Sequence, residues 1–262
     1  MVGFCLSMIQ DDPQKVFRQR MEKPGGGSLA NLTLQMAQSF LGTAYVSHTL
    51  EGNPTEQLVC RFDGLDCTTL VETSVALAVA KKHHMKYDGF RQELTQLRYR
   101  HGQINGYASR LHYFVDWLYH NQQRGRVEDI TARLGGIPYH KNIHFMTSHA
   151  ELYPALSSEE TWRELKLIEE EINARAHYYI PQVEVRKVEP LLKEGDIVGI
   201  TSSVEGLDCN HQGIITKIGE RAFLVHASTD AKKVILSPRP LAEYVASIKR
   251  HTGIIVLRIP DE

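Results

Sequence analysis

Apolar residues along the first two-thirds of the chain recur at helical spacing. In residues 32–41, Leu32, Met36, Ala37 and Phe40 share one face, and Gly42 ends the run. Residues 67–83 place Val71, Val75, Ala78 and Val79 on one side and close on Lys81, Lys82 and two histidines. That cationic finish suits the negative end of a helix dipole. Residues 87–100 and 111–121 are further predicted helices. In residues 162–175, Trp162, Leu165, Ile168 and Ile172 stay in register, which leaves Glu169, Glu170 and Glu171 to face solvent.

From Glu194 onward the pattern changes. Residues 196–200, 212–216, 223–225, 233–236 and 254–257 are short, β-branched and separated by Gly, Asp, Ser and Pro. This predicts an antiparallel sheet. Helices first and strands after predict an α+β fold, not an alternating βαβ one. There is no internal repeat, and Gly25, Gly26, Gly27 and Ser28 read as a turn or an added linker. Residues 1–31 form an N-terminal extension that need not be ordered, and residues 32–262 form one domain. The span from about 97 to 185 has no flexible linker at either end, so it reads as a mostly helical elaboration of that domain.

Composition narrows the function classes. The 262 residues are enough for one substantial core. A hydrophobic share of 42% with 23% charged residues is ordinary for a soluble globular chain. The formal net charge of -1 and the lack of a basic stripe argue against nucleic-acid binding. No apolar run approaches the roughly 18–20 residues that span a bilayer. Residues 1–9 are apolar but short and lack a basic flank; they read as the remnant of a signal segment or simply as the start of the chain. Four cysteines, Cys5, Cys60, Cys67 and Cys209, are too few and scattered for a disulfide scaffold. Cys60 and Cys209 would be free to pair in an oxidising compartment.

Three short elements carry chemistry. In the first, a glycine-containing turn (Phe62, Asp63, Gly64, Leu65) delivers Asp66 and Cys67 to the start of a helix. A thiol there meets the positive end of the dipole and unpaired N–H groups, which favour thiolate and can hold an oxyanion. Taken alone this signal is weak, and a core cysteine on the Val71/Val75/Ala78 stripe is the better reading of Cys67. In the second, His211 opens a predicted strand after a turn; in the third, His226 ends the next one. Adjacent antiparallel strands can bring two such side chains together, one to take a thiol proton and one to orient the first. With thirteen histidines in the chain, either alone also fits a structural role.

Taken in order, Asp66-Cys67-Thr68-Thr69-Leu70-Val71, His211-Gln212-Gly213-Ile214 and His226-Ala227-Ser228 resemble the motifs of the NlpC-type, papain-like cell-wall cysteine peptidases. Leu41-Gly42-Thr43-Ala44-Tyr45 is similar to the tyrosine-bearing segment that precedes the nucleophile in that group. Within the superfamily, the N-acetylmuramoyl-L-alanine amidase-like branch is the nearest likeness. It is carried by Gly106–Tyr113 positions with Trp117, by Phe145-Met146-Thr147-Ser148-His149, by Tyr178-Tyr179-Ile180-Pro181 and by Gly195-Asp196-Ile197-Val198. The resemblance implies a nucleophile helix packed on a small antiparallel barrel or sheet. It also implies Cys67 as nucleophile, His211 as base, His226 as its orienting partner, and hydrolysis of an amide in peptidoglycan or a muropeptide fragment.

The resemblance further implies a bacterial periplasm or cell-envelope location, with the cytoplasm left open, and calls for no metal or cofactor. Tyr45, Asp66 and Thr68 would line the substrate site, although Tyr45 also fits a core aromatic and Asp66 a helix cap. Arg110, His112, Ser148 and His149 are weaker substrate-binding candidates; Arg110 could hold a peptide carboxylate in a fork. Two positions depart from the family pattern. Thr68 stands where serine is common, and Gln212 replaces a small apolar residue beside the base. A stem-peptide endopeptidase, a non-catalytic peptidoglycan-binding module, and a zinc site built from Cys60, Cys67, Cys209 and His211 are the competing readings.

Overall fold

The computed structural model describes residues 12–260. The apolar start at residues 1–9 and Cys5 lie outside the described residues. The strands are β1 (Ala44–Tyr45), β2 (Gly64–Leu65), β3 (Glu128–Asp129), β4 (Ile137–Pro138), β5 (Tyr178–Pro181), β6 (Ile197–Ser202), β7 (Cys209–Ile218), β8 (Arg221–Ser228), β9 (Lys233–Leu236) and β10 (His251–Arg258). The α-helices are α1 (Pro13–Glu22), α2 (Leu29–Gln38), α3 (Cys67–Lys82), α4 (Tyr87–Arg98), α5 (Phe114–Gln123), α6 (Phe145–Ser148), α7 (Glu159–Asn173), α8 (Val185–Val188) and α9 (Leu241–Ala246).

The five β-branched runs become β6 to β10. They form the middle of a ten-stranded sheet ordered β2-β1-β9-β8-β7-β6-β10-β5-β4, with β3 also paired to β10. The ladders joining β6 to β10 are antiparallel; β1 and β2 pair in parallel. The architecture is a mixed α+β one, and the sheet is larger than five strands because short segments from the helical part of the chain extend both ends.

Side chains alternate across a strand, and here both faces are covered. Ile214, Val225, Ala227, Ile255 and Leu257 pack in one apolar layer with Val71 and Val75 of α3. Ile215, Leu224, Ile254 and Val256 pack in another with Val185 and Val188 of α8 and Leu241 and Val245 of α9. Each such side chain, fully buried, stabilises the fold by about 1.5–3 kcal/mol. A sheet covered on both faces explains why these runs read as nearly continuous apolar segments.

Among the helices longer than four residues, α1 and α9 escaped the periodicity reading. Helix α1 is capped by Asp12, whose side chain accepts from Gln14 N–H, and its Phe17 is buried against Tyr87 and Phe90 at ring separations of 5.6 and 5.3 Å. Part of the N-terminal extension is thus packed on α4. Helix α9 is short and follows Pro240, and it covers the sheet face opposite α3. The span from 97 to 185 holds α5, α6 and α7, and its strands β3 and β5 join the main sheet through β10.

The expectation that Glu169 faces solvent is wrong. It is fully buried, where it accepts from Tyr113 Oη at 2.7 Å and Thr147 N at 3.1 Å and pairs with the Thr147 hydroxyl. Tyr113 Oη in turn accepts from Met146 N at 2.8 Å. Glu169 stands one turn from Leu165 and from Ile172, the other buried residues of α7, so it shares their face, and α6 packs over it. Among the described residues no helix is long and apolar enough to cross a membrane.

Candidate active site

Asp66 sets the start of α3. Its Oδ1 accepts from Thr69 N and Thr69 Oγ1, each at 2.8 Å, while Asp66 N donates to Thr69 Oγ1 at 2.9 Å. This reciprocal cap puts Cys67 at the first helical position. The Cys67 sulfur has the Gln212 N–H, the Thr68 hydroxyl and the Thr68 N–H as neighbouring donors, each of which favours the thiolate. Burial nevertheless pushes its thiol up to about 12, and the neighbouring Asp66 carboxylate adds to this. The helix terminus alone predicts a thiolate; in the free protein desolvation outweighs it, and the sulfur keeps its proton.

Both histidines meet on the strands beside that helix start. A register shift in the β6–β7 ladder, between Ile200↔His211 and Thr201↔Cys209, bends β7 at this point. The β7–β8 ladder ends at Ile214↔Val225, so His211 and His226 stand near the mouth of the separating strands. His211 Nε2 lies 2.7 Å from His226 Nδ1, with the rings 4.9 Å apart at 82°. Since Nε2 is taken, Nδ1 is the nitrogen of His211 left for another partner. Burial holds His211 well below the usual imidazole range, helped by the nearby His226, His251 and Arg250. Burial also lowers His226 to about 4, with Asp230 opposing. Both imidazoles are therefore neutral near pH 7. Tyr244 of α9 packs against them at 6.1 and 5.0 Å, and His226 Nε2 is buried without a hydrogen-bond partner.

Six of the ten sequence-predicted residues line one cavity of about 430 Å³: Tyr45, Asp66, Cys67, Thr68, Arg110 and His112. The Tyr45 hydroxyl bonds the Thr229 side chain. Arg110 is buried, and its Nη2 donates to Glu51 at 2.7 Å. Its guanidinium also lies 4.7 Å from the centre of the Tyr107 ring. A substrate carboxylate would have to share it with Glu51. His112 is half-buried and held neutral, mainly by desolvation, and its Nε2 pairs with Tyr107 O at 3.0 Å. His211, His226, Ser148 and His149 are not among the residues lining this cavity, although Cys209 and Asn210, next to His211 in β7, are. Ser148 Oγ pairs with His144 Nδ1 at 2.7 Å, and the His149 ring stacks at 4.3 Å on Phe145, which does line it.

Several lining residues were not picked out from the sequence. Glu72, five positions after Cys67, forms a buried pair with Arg98 at 2.7 Å in the cavity wall; a glutamate inside an otherwise apolar helix stripe was the available signal. Asn210 also lines the cavity, and its Oδ1 is buried without a partner. Tyr244 had no local signal at all. Cys60, Cys67 and Cys209 are free thiols, so Cys60 and Cys209 are not paired. Among the described residues no group of three or more His, Cys, Asp or Glu could hold a metal ion.

Fold and site together define a mixed α+β protein with a helix-terminal thiol and two coupled imidazoles beside one cavity. A family model described as N-acetylmuramoyl-L-alanine amidase-like (AmiA-like) matches residues 35–254, and the chain belongs to that family. A crystal structure of an N-acetylmuramoyl-L-alanine amidase from Bacteroides uniformis is 36% identical with a TM-score of 0.85, covering 90% of this chain and 100% of that one. A Bacteroides fragilis protein provisionally named a xylanase is 34% identical with a TM-score of 0.80, covering 86% of this chain and 100% of that one. A Legionella pneumophila protein of the family DUF1460 shares the fold at 22% identity, TM-score 0.71, covering 95% of this chain and 94% of that one. The curated proteins contain no match to the chain.

Proposed function

We propose that the protein is a cysteine-dependent amidase of the NlpC, papain-like type acting on peptidoglycan fragments in the periplasm or cell envelope. Its substrate bond is the amide between the lactyl group of N-acetylmuramic acid and L-alanine. The observation that carries this reading is the 2.7 Å His211–His226 pair, next in β7 to Gln212, whose side chain reaches Thr68 beside Cys67 at 2.8 Å. A structural module has no need of a part-buried imidazole pair left one hydrogen bond short beside a capped helix start that carries a thiol. Helix α3 packed on the β7–β8 side of the sheet agrees with the papain-like arrangement.

The chemistry starts from the neutral thiol and neutral imidazole. His211 Nδ1 takes the Cys67 proton as the sulfur attacks the amide carbon, and His211 Nε2–H donates to His226 Nδ1 to stabilise the imidazolium. Backbone N–H groups at the start of α3 hold the developing oxyanion, and the Tyr45 hydroxyl lies on the same wall. The imidazolium then protonates the leaving nitrogen, which departs as the amine of L-alanine. A water, deprotonated by His211, hydrolyses the thioester and frees the sugar carboxylate. Arg110 and His112 bind substrate polar groups farther along the cavity.

The provisional xylanase name of one neighbour does not suit this cavity. A glycosidase needs two carboxylates free to face the scissile bond. Here Asp66 caps α3, Glu72 is paired with Arg98 and Glu51 with Arg110. Mass spectrometry of a defined muramyl peptide after incubation tests the proposal. The expected products are free sugar and an intact peptide beginning with L-alanine. Efficient cleavage of a sugar-free stem peptide between D-glutamate and its diamino acid would favour the endopeptidase reading.

A further inference from the structure

The two departures from the family pattern, Thr68 and Gln212, touch each other. Gln212 Nε2 donates to Thr68 Oγ1 at 2.8 Å, across 144 positions of sequence. Strand pleat turns neighbouring side chains to opposite faces, so His211 reaches His226 while Gln212 turns toward the start of α3. A threonine hydroxyl has one proton and two lone pairs. With an amide N–H occupying a lone pair, the hydroxyl proton cannot point back at that nitrogen. The adjacent Cys67 sulfur is the group whose charged form that hydroxyl favours, together with the backbone N–H groups of Thr68 and of the same Gln212.

We propose that Gln212 is a positioning residue for the nucleophile: its side-chain amide aims the Thr68 hydroxyl proton at the Cys67 sulfur, while its backbone N–H supplies a second donor. A hydroxyl that accepts a hydrogen bond becomes a better donor, because chained bonds polarise one another. Both donors favour the sulfur once it has lost its proton. Burial disfavours that state, so two aimed donors matter more here than at an exposed thiol. The β-branched Thr68 restricts its own rotamer, and the amide fixes what remains, the direction of the O–H bond. The proposal rests on reading Cys67 as the nucleophile.

The test replaces Gln212 by Met, which keeps volume and backbone N–H but removes the side-chain donor, and by Glu, whose carboxylate would draw the Thr68 proton away from the sulfur. Thr68→Val removes the hydroxyl and Thr68→Ser keeps it. Iodoacetamide labelling is followed from neutral to alkaline pH and read on the Cys67 peptide by mass spectrometry, since other cysteines also label. Q212M and T68V are each expected to slow Cys67 labelling about tenfold at neutral pH and to move its profile about one unit alkaline. Hydrolysis should lose a similar factor in kcat while KM stays within about twofold. Q212E should exceed Q212M in both, and T68S should stay within about threefold of the wild type.

The double variant T68V/Q212M should label no more slowly than T68V alone, because the amide acts only through the hydroxyl. A wild-type labelling profile in Q212M, or a double variant equal to the product of the singles, would overturn the proposal. Should Q212M fail to fold, the near-isosteric Q212E decides the question, with a wild-type profile counting against it. The labelling readout does not depend on which bond is cut. Retained hydrolysis in Cys67→Ala would remove the nucleophile reading, whereas an unchanged Q212M profile in an enzyme that needs Cys67 removes only the role of Gln212.

Discussion

Two polar clusters of this molecule, one around Glu169 and one around His211, are built on opposite terms. Around Glu169, the carboxylate, the Tyr113 hydroxyl, the Thr147 side chain and two backbone N–H groups close a network in which each hydrogen bond supports the next. Asp116 is satisfied likewise, by Arg100 at 2.6 Å and Arg175 at 2.7 Å. Around His211 the terms differ. The His211–His226 bond is short, but His226 Nε2 and Asn210 Oδ1 have no partner, and the surroundings hold thiol and imidazoles in their neutral forms. A satisfied network rigidifies the fold; an unsatisfied one costs stability and leaves groups able to change partner and proton. The cluster around Glu169 is of the first kind, and the histidine cluster beside the start of α3 is of the second.

Substitutions can break this contrast from either side. The largest effect is expected at Cys67: Cys67→Ala should lower muramyl peptide hydrolysis by about 10⁴-fold or more, with unfolding free energy changed by about 1 kcal/mol or less. Steady-state kinetics with a chemical denaturation curve checks both. His211→Ala should be nearly as damaging, and His226→Ala should cost about 10²-fold, because it only orients and stabilises the base. Wild-type turnover in either the cysteine or the His211 variant would end the assignment.

Glu169→Ala inverts the pattern. It strands the Tyr113 hydroxyl and the Thr147 groups, which should cost about 2–4 kcal/mol and lower the melting temperature by about 5–10 °C. Activity per folded molecule should stay within a few-fold. Calorimetry beside active-site titration separates the two, and a stable but inactive protein would place Glu169 in the chemistry instead.

Acid pH sharpens the comparison further. The base must be neutral to accept the thiol proton. Burial lowers both imidazoles, His226 to about 4, so the neutral form persists below the ordinary histidine range of about 6.5. The acid limb of kcat/KM should therefore fall well under that range, and activity should be lost only as pH drops through the lowered value. A limb at the ordinary histidine value would show that the pair is not desolvated in solution. The smallest effect is expected for Tyr45→Phe, about two- to tenfold in kcat, since the hydroxyl also bonds Thr229; no change at all would assign Tyr45 to packing.

Local pattern was enough for much of this molecule. Apolar spacing of 3.6 and of 2 marks elements without reference to anything distant. Helix α3 therefore lies at Cys67–Lys82 where residues 67–83 were expected, and the five strand runs fall on β6 to β10, four inside them and the first starting one residue early. The Asp66 cap, the position of Cys67 at a helix start and the order of the three motifs are likewise properties of neighbouring residues. What only the tertiary structure decided are the meetings between distant side chains. Nothing local selects His226 as the partner of His211 among thirteen histidines, joins Gln212 to Thr68, engages Arg110 with Glu51 or keeps Ser148 and His149 off the cavity. Burial is equally non-local: it reversed the protonation that a helix terminus favours at Cys67 and hid Glu169 behind α6. Period tells a side chain which face it occupies, but strand register and helix packing decide what stands opposite, and through desolvation they set its charge.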